Sequence, residues 1–355
     1  MLRTRLVASV IVVVAALGIV ALSRGKGSTS GSAAPSTPVA TAAGTAPSTS
    51  QSTTTTTVTP TSNTPTTTAF TVSAVANVAP EPVSLPGRPS EGWKARLSAN
   101  GRTELWTLTL HPLASSPTVT LSAAVFDPAL FTAALFNGTG TPGGTHWHNG
   151  DRVPTAAVPA LRVAFNGGFL FKHITGGYVT EGRVAKKLAN GQATIAIAAD
   201  GRLSIGVLGR DIANDGSWTS LRQNLPPIVE KGASSINRYP GTYWGDNFHH
   251  VEADFRSALC TRDDGRLMYV TMGMVRIGTL ADTLPKVGCR FGMELDINGH
   301  WPQFVWYTGG GAHPVGHLLD QRMWKPNRVL TGSEKDFIAL FDPATLPSGA
   351  LWAHP

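Results

Sequence analysis

The amino-acid sequence predicts a sheet-rich α+β domain with few helices, preceded by a membrane segment and a disordered stalk. Short segments in which apolar and polar residues alternate recur through the C-terminal part of the chain, whereas helical periodicity is rare. An uncharged apolar run lies near the N-terminus, and a long stretch rich in Ser, Thr and Pro follows it. These observations divide the chain into a signal anchor or transmembrane segment at 1–26, a stalk at 27–75 and one globular domain at 76–355.

The N-terminal segment contains an uncharged apolar run, 6–22, between basic flanks. This length is at the short limit of a membrane-spanning helix. A cleaved signal peptide is the alternative, although its apolar part is usually shorter. No small-x-small cleavage pattern follows Leu22, which favours an uncleaved anchor and a single-pass membrane protein. Cleavage would instead make the protein secreted.

The stalk has no charged residue between Lys26 and Glu81, and 28–68 is almost entirely Ser, Thr, Ala, Pro and Gly. Such a composition cannot bury enough apolar area to offset the entropy lost on ordering. We interpret it as an extended stalk or a plain flexible tether. A stalk after an anchor is useful outside the cytoplasm, so the C-terminal domain is expected to be extracytoplasmic, in the cell envelope.

The charge balance argues against a nucleic-acid partner. The chain has 29 Lys and Arg against 22 Asp and Glu, a net charge of +7. Four of the 29 basic residues and none of the acidic ones lie in 1–70, so the rest of the chain has 25 against 22, a net of +3. No cluster of basic and aromatic residues remains that would predict nucleic-acid binding.

Six segments of the domain are predicted to be β-strands because apolar residues alternate or run together in them. They are 103–110, 118–126, 193–199, 203–208, 267–272 and 293–297. The Asp-Gly pairs at 200–201 and 264–265 predict hairpin turns beside them. The clearest helical pattern is 276–286, where apolar residues recur at helical spacing until Pro285.

The two cysteines, Cys260 and Cys289, follow and precede predicted strands. Two cysteines exclude a disulfide-framework fold. In an oxidising compartment they favour a disulfide bond, which would contribute about 3 kcal/mol in the chain-entropy model. The alternative is a pair of buried free thiols.

The first candidate site is an apolar strand that runs into Asn166, Gly167 and Gly168. Glycines allow positive φ and close approach of a ligand to the backbone, and the Asn166 amide could bind a hydroxyl group. A hairpin turn between two core strands is the alternative, because Asn-Gly is a common turn signal.

The second candidate site is the strand that carries Glu294, Asp296 and Asn298, which alternation places on one face. Two carboxylates about 7 Å apart, at positions i and i+2, raise the pKa of one of them, which suits general acid–base catalysis. The alternatives are a solvated strand face ending in an Asn-Gly turn and a Ca²⁺ site built from acid and amide oxygens.

A third polar segment, 249–256, would place His250, Glu252, Asp254 and Arg256 on one face if it is a strand. Zinc binding is conceivable there, although the spacing is not that of a metalloprotease. The alternative is an exposed polar segment with a salt bridge.

Four motifs in the domain occur in a recognisable order. The segment 166–169 is Asn-Gly-Gly-Phe at the end of an apolar strand. Arg-Ser-Ala-Leu at 256–259 is followed by an Asp-Gly turn and another apolar strand. Thr-Leu-Ala-Asp lies at 279–282, and Leu-Asp-Ile-Asn-Gly-His lies at 295–300.

This order resembles the phosphodiester glycosidase family of the uncovering-enzyme type (N-acetylglucosamine-1-phosphodiester alpha-N-acetylglucosaminidase-like), over about 160–310. The family has Leu-Asp-Gly-Gly-Gly-Ser as its last motif. Here Asp296 is kept, while Ile297, Asn298 and His300 stand at the family's Gly, Gly and Ser positions. The chain is therefore expected to be a divergent member.

The resemblance implies a hydrolase that cleaves the bond between a sugar's anomeric carbon and a phosphodiester, with a cell-envelope glycan as the natural substrate. Asp296 is the expected acid–base residue by resemblance, and Glu294 by its predicted strand face. Arg256 would neutralise the phosphate. The residues expected to bind substrate are Asn166, Gly167, Gly168, Arg256, Asn298 and His300.

The alternative function is a non-catalytic glycan-binding protein of the same fold. Side chains at the family's glycine positions favour it, and four tryptophans near the candidate loops could stack on sugar rings. They are Trp147, Trp244, Trp301 and Trp306. No cofactor is expected in either case, although Ca²⁺ binding stays open.

Overall fold

The computed structural model describes residues 76–245 and 253–352. In this part of the chain three antiparallel sheets and two short α-helices, α1 (Ile277–Thr283) and α2 (Arg328–Thr331), form the fold. The predicted sheet-rich α+β class with few helices is confirmed. The predicted membrane segment and stalk lie outside the described residues. Among the residues described, no helix is both long and apolar enough to cross a membrane.

The largest sheet has eight strands, and all neighbouring strands in it are antiparallel. In spatial order they are β1 (Lys94–Ala99), β2 (Arg102–Leu110), β3 (Leu121–Phe126), β14 (Leu267–Val275), β13 (Asp254–Thr261), β15 (Phe291–Ile297), β11 (Val229–Glu230) and β12 (Ala233–Ser234). The Arg-Ser-Ala-Leu motif at 256–259 lies on β13, and the Leu-Asp-Ile-Asn-Gly-His motif at 295–300 begins on β15, so both lie in the middle of this sheet.

Two five-stranded sheets complete the fold. One has the order β7 (Arg183–Lys186), β6 (Tyr178–Thr180), β10 (Trp218–Gln223), β8 (Ala193–Ala198) and β9 (Leu203–Val207). The other has the order β17 (Val315–Leu318), β16 (Phe304–Thr308), β5 (Leu161–Asn166), β18 (Phe337–Phe341) and β4 (Thr132–Phe136). The Asn-Gly-Gly motif therefore begins at the end of β5.

The core lies on both faces of the eight-stranded sheet. One face packs against both smaller sheets, and Tyr269, Leu295, Phe165 and Ile195 belong to this shared cluster. The other face is covered by α1, whose Leu280 joins a second cluster. Burial of these apolar side chains stabilises the fold by about 25 cal/mol per Å² of apolar surface removed from water.

The local predictions agree with the structure at most positions. All six predicted strands are present, although β3 begins at Leu121 instead of 118 because the Val119 N–H is donated to the Ser116 carbonyl in a turn. The Asp-Gly turns join β8 to β9 and β13 to β14. The predicted helix is α1, which Leu284–Val287 extends as a 3₁₀ turn around Pro285.

The predicted disulfide is present between Cys260 on β13 and Cys289, just before β15. Both residues are fully buried in the cluster beneath α1. The bond links β13 to the segment that enters β15, the strand that carries Glu294 and Asp296.

Candidate active site

A β-bulge in β15 separates the two acidic candidates. Arg256 on β13 pairs with Ile297, but Ala258, two residues later, pairs with Glu294. Two residues of β15, Leu295 and Asp296, therefore lie opposite one residue of β13, Ser257, which disrupts the regular alternation of side chains. The predicted shared face of Glu294, Asp296 and Asn298 is wrong for this reason.

Glu294 belongs to an internal ion pair with Arg256. Both side chains are fully buried, and Arg256 Nη1 donates to Glu294 Oε1 at 2.6 Å. Arg256 also donates to the carbonyl oxygens of Trp244 and Val275. A guanidinium with no exposed surface cannot contact a ligand unless the fold rearranges, so the expectation that Arg256 binds a phosphate is corrected: it holds β13, β14 and the segment at Trp244 together.

Asp296 instead forms an ion pair with Lys335, the second residue before β18 in the neighbouring five-stranded sheet. The side chains of both residues are about 5% exposed. Burial raises the pKa of the Asp296 carboxyl group, and the Lys335 ammonium group opposes part of this rise. A backbone bond from the Ile297 N–H to Asp296 Oδ1 also favours the carboxylate.

The Asn166 side-chain amide, at the end of β5, links its five-stranded sheet to the eight-stranded sheet by hydrogen bonds. Its oxygen accepts hydrogen bonds from the Tyr269 hydroxyl at 2.9 Å and from the Gln303 N–H at 3.0 Å, and its Nδ2 donates to Ser257 Oγ at 3.4 Å. β5 pairs with β16 and β18, so the Asn-Gly sequence does not form a hairpin turn. Since the Asn166 amide is buried and bonded within the protein, its predicted contact with a substrate hydroxyl is corrected to a structural role.

Glycine is required at positions 167 and 168 because neighbouring side chains approach the backbone closely there. Neither residue has φ in the left-handed region, so backbone conformation is not the reason. A Cβ at Gly167 would lie 1.9 Å from Asp336 Oδ2, and one at Gly168 would lie 2.2 Å from Asn224 Oδ1. The Gly167 N–H is donated to the Asp336 carbonyl at 3.0 Å, so this N–H is used within the protein and not for the expected contact with substrate.

A buried pair behind these glycines fixes the following segment. Arg222 on β10 binds Asp336 through two hydrogen bonds of 2.7 and 3.1 Å, and it also donates to the Phe169 carbonyl at 2.7 Å. Asn224 accepts a hydrogen bond from the Phe169 N–H at 3.1 Å. These contacts set the position of the chain that leads to His173.

A cleft lies beside the Asp296–Lys335 pair. Its described lining is Phe169, Leu170, His173, Tyr243, Gly245, Asp296, Ile297, Asn298, Trp301 and Lys335. The Lys335 ammonium group lies 4.9 Å from the centre of the Trp301 ring. The cleft therefore combines one cation, one carboxylate and several aromatic side chains.

Asn298 and His300 lie in the turn that leaves β15. Asn298 has a φ of 77°, a conformation that glycine and asparagine tolerate best, and it lines the cleft. Its side-chain oxygen accepts a hydrogen bond from the His300 N–H. The exposed His300 ring packs edge-on against the Trp324 ring, with the two ring centres 5.7 Å apart. Of the predicted site residues, the structure thus brings Asp296 and Asn298 together at the cleft.

The remaining candidates are less informative. His250 and Glu252 of the third polar segment lie outside the described residues. Trp306 and Trp244 are buried in the core. Trp147 stacks against Arg183, whose guanidinium carbon lies 3.8 Å from the ring centre. Over 76–245 and 253–352, no group of three or more His, Cys, Asp or Glu side chains is placed so that it could hold a metal ion, Ca²⁺ included.

Sequence reasoning missed Lys335, His173 and Tyr243. Lys335 stands immediately before Asp336 at the start of an apolar strand, and a Lys-Asp pair there is a weak signal of a polar site at a strand end. His173 follows the Asn-Gly-Gly motif by five residues. Nothing local distinguishes Tyr243.

No protein-family model matches the chain, and no curated protein matches it in sequence. Among solved structures, the chain is similar to the zebrafish N-acetylglucosamine-1-phosphodiester alpha-N-acetylglucosaminidase catalytic domain auto-inhibited by its pro-peptide, with 18% identity, a TM-score of 0.44, and 71% of this chain and 88% of that chain covered. A hypothetical protein from Synechocystis has 10% identity and a TM-score of 0.45, with 72% and 64% covered. A putative exported protein from Burkholderia pseudomallei has 13% identity and a TM-score of 0.35, with 63% and 74% covered.

Proposed function

We propose that this protein is an extracytoplasmic glycosidase that hydrolyses a sugar-1-phosphodiester linkage, with a cell-envelope glycan as its substrate. The observation that carries the proposal is the Asp296–Lys335 ion pair at the wall of an aromatic cleft. A sugar-1-phosphodiester presents an anion next to an acetal carbon, so its cleavage needs a cation and a proton-transfer group side by side. The order of the four sequence motifs supports the same reaction.

Asp296 is the proposed general acid. A buried carboxyl group whose pKa is raised holds its proton at a higher pH than a free aspartic acid, and this suits proton donation to a leaving oxygen. Glu294, the other acidic candidate, is bound to Arg256 and does not line the cleft. The acid role therefore falls to Asp296.

Lys335 is the proposed phosphate-binding residue, in place of Arg256. Its ammonium group lies at the cleft and has Asp296 as its carboxylate partner. A phosphodiester that enters the cleft competes with Asp296 for this cation. When Asp296 loses its cation in a buried site next to a new anion, both changes raise its pKa further. Substrate binding would thus prepare the acid for the reaction.

The sugar would be held by the aromatic and amide groups of the cleft. Trp301, Tyr243 and Phe169 offer apolar ring surface, against which a sugar ring can pack. Asn298 brings an amide whose nitrogen can donate to a hydroxyl group.

The extracytoplasmic location is supported by the Cys260–Cys289 disulfide, since such bonds persist mainly in oxidising compartments. The membrane anchor at 1–26 stays a prediction of the sequence alone. Localisation of a tagged full-length chain in membrane and culture fractions would separate an anchored protein from a secreted one.

The test is the release of free sugar from a sugar-1-phosphodiester by purified protein. Asp296→Asn should abolish release, because the amide cannot donate the carboxyl proton. Asp320→Asn is the matched control: Asp320 is also a buried carboxylate paired with a cation, Arg322, but it lies outside the cleft. Full activity in folded Asp296→Asn would rule out the assignment.

A glycan-binding protein without turnover is the second candidate. Asn298 fills the cleft at a position where the phosphodiester glycosidase motif has glycine, and this favours binding without catalysis. Isothermal titration with envelope glycan fractions, run beside the turnover assay, separates the two functions. Binding without turnover on every fraction would establish this candidate and exclude the hydrolase.

A further inference from the structure

The cleft needs a second proton-transfer group if the proposed hydrolysis takes place there. Cleavage at an anomeric carbon usually uses two such groups, one that assists the leaving oxygen and one that activates water. Asp296 is the only carboxylate among the described residues that line the cleft. The bulge in β15 has placed Glu294 elsewhere, in an ion pair with Arg256.

His173 lines the same cleft as Asp296 and Lys335. It ends the 3₁₀ turn Phe171–His173, and its N–H is donated to the Leu170 carbonyl at 2.9 Å. Its ring is half-buried and stacks on Tyr243, with ring centres 6.1 Å apart and planes 9° from parallel. The backbone before it is held by Arg222 and Asn224 at Phe169. The imidazole is therefore positioned at the cleft by contacts on both sides.

We infer that His173 is the general base of the reaction proposed above, and this inference depends on that proposed function. His173 accepts a proton from water as the water oxygen bonds to the anomeric carbon. The bond from that carbon to the bridging oxygen breaks, its electron pair goes to the oxygen, and Asp296 gives the oxygen its proton. The products are the free sugar and a phosphomonoester, and the proton returns from imidazolium to Asp296 through solvent.

The surroundings of His173 favour the neutral imidazole that a base requires. Burial lowers its pKa, and the nearby Lys172 and Lys335 ammonium groups lower it further. Asp296, on the cleft wall, has its pKa moved in the opposite direction by burial. The two shifts bring the pKa values of the carboxyl and imidazole groups closer together, so the form in which Asp296 is protonated and His173 is neutral becomes more populated.

This assignment has a stereochemical consequence. Water activated by His173 attacks the anomeric carbon directly, without a glycosyl–enzyme intermediate, so the configuration at that carbon is inverted. Proton NMR of the first sugar released, taken before mutarotation, reads the anomer. Retention of configuration would overturn the inference.

The main experiment compares His173→Ala, His173→Gln and the control His111→Gln, an exposed histidine outside the cleft, on a sugar-1-phosphodiester. Both His173 variants should lose about 10²–10⁴-fold in kcat/KM, the usual size of a general-base effect. The acidic limb of the pH–rate profile should disappear with them, and added imidazole should restore part of the activity of His173→Ala. A merely structural role would give neither the change in profile nor the rescue.

The outcomes separate this inference from the proposed function. If the unmodified protein is active and Asp296→Asn is inactive, but His173→Ala keeps its rate and its acidic limb, the role of His173 is wrong and the hydrolase stands. If His173→Ala is folded and inactive but imidazole and pH have no effect, His173 is not the base. An unmodified protein with no turnover would overturn both proposals.

Discussion

Glu294 and Asp296 stand two positions apart on β15 and bind cations from different parts of the fold. Glu294 binds Arg256 on the adjacent strand, whereas Asp296 binds Lys335 from the neighbouring sheet. The bulge in β15 opposite Ser257 produces this division. Glu294 therefore stabilises the fold through its ion pair, whereas Asp296 lies at the cleft.

The first prediction is that Arg256→Met destabilises the protein by about 3–5 kcal/mol. The substitution removes the Arg256 guanidinium from the buried ion pair with Glu294, and removing one partner of such a pair has this cost. Denaturant unfolding with the disulfide intact measures the change. The double variant Arg256→Met/Glu294→Leu should recover most of the loss, and a double variant as unstable as the single one would contradict the explanation.

The second prediction concerns Glu294→Gln. If Glu294 serves only the ion pair, this variant should lower the free energy of unfolding. Because Glu294 does not line the cleft, the turnover per folded molecule should stay within about twofold of the original. Such a difference is far smaller than the tenfold change in rate that 1.4 kcal/mol would produce. Kinetics at a temperature where the variant is folded, checked by circular dichroism, gives the comparison. A folded variant as inactive as Asp296→Asn would place Glu294 in the catalytic machinery.

The third prediction contrasts two glycines. Gly167→Ala forces a Cβ against Asp336, the partner of Arg222, and should cost about 1–3 kcal/mol or more, as overpacking does in well-packed sites. Gly299→Ala has no atom within 4 Å of the new Cβ and should be nearly neutral. Thermal unfolding of the two variants side by side tests this, and equal melting temperatures would contradict the role given to Gly167.

The fourth prediction is that replacing Cys260 and Cys289 together by Ala lowers the free energy of unfolding by about 3–4 kcal/mol. The disulfide closes a loop with a sequence separation of 29, and the loop-closure entropy it removes from the unfolded chain has this size. Urea unfolding of the variant against the oxidised protein measures it. A loss below 1 kcal/mol would mean that the loop is already restrained in the unfolded state.

Local features of the fold were predictable from the sequence because their causes are local. Alternation predicted the strands, Pro285 predicted the end of α1, and the two Asp-Gly turns sit where hairpins need them. The disulfide was favoured by the expected oxidising compartment, with free thiols as the alternative, and the structure has the bond. The strands, the helix end and the turns depend on residues close together in the chain, and the disulfide involves only two cysteines.

The site was only partly predictable because its contacts depend on the order of strands in the sheets. Asp296 binds Lys335 39 residues away, and Arg222 binds Asp336 114 residues away. The motif at Gly167 was recognisable as special, but the reason for it, the approach of Asp336, required the structure. A bulge has no clear sequence signal, so alternation assigned Glu294 and Asp296 to one face.

The fifth prediction is that binding of a substrate analogue takes up a proton through Asp296. In the free protein Lys335 lowers the pKa of the Asp296 carboxyl and partly offsets the rise caused by burial. A bound phosphate anion diverts this cation and adds a negative charge, so the pKa of Asp296 rises on binding. Between the free and the bound pKa the free carboxylate is ionised and the bound one is protonated, and the sign of the exchange is therefore uptake.

The measurement is isothermal titration with a sugar-1-phosphonate monoester, in which carbon replaces the bridging oxygen, so that the negative charge is kept and hydrolysis is blocked. Titrations in two buffers of different ionisation enthalpy give the number of protons exchanged. We expect uptake that falls towards zero at low pH, where the free carboxyl is already protonated. Asp296→Asn should bind with its uptake removed, while Asp320→Asn should keep it. Proton release, or uptake unchanged in Asp296→Asn, would show that Lys335 does not transfer from the carboxylate to the phosphate.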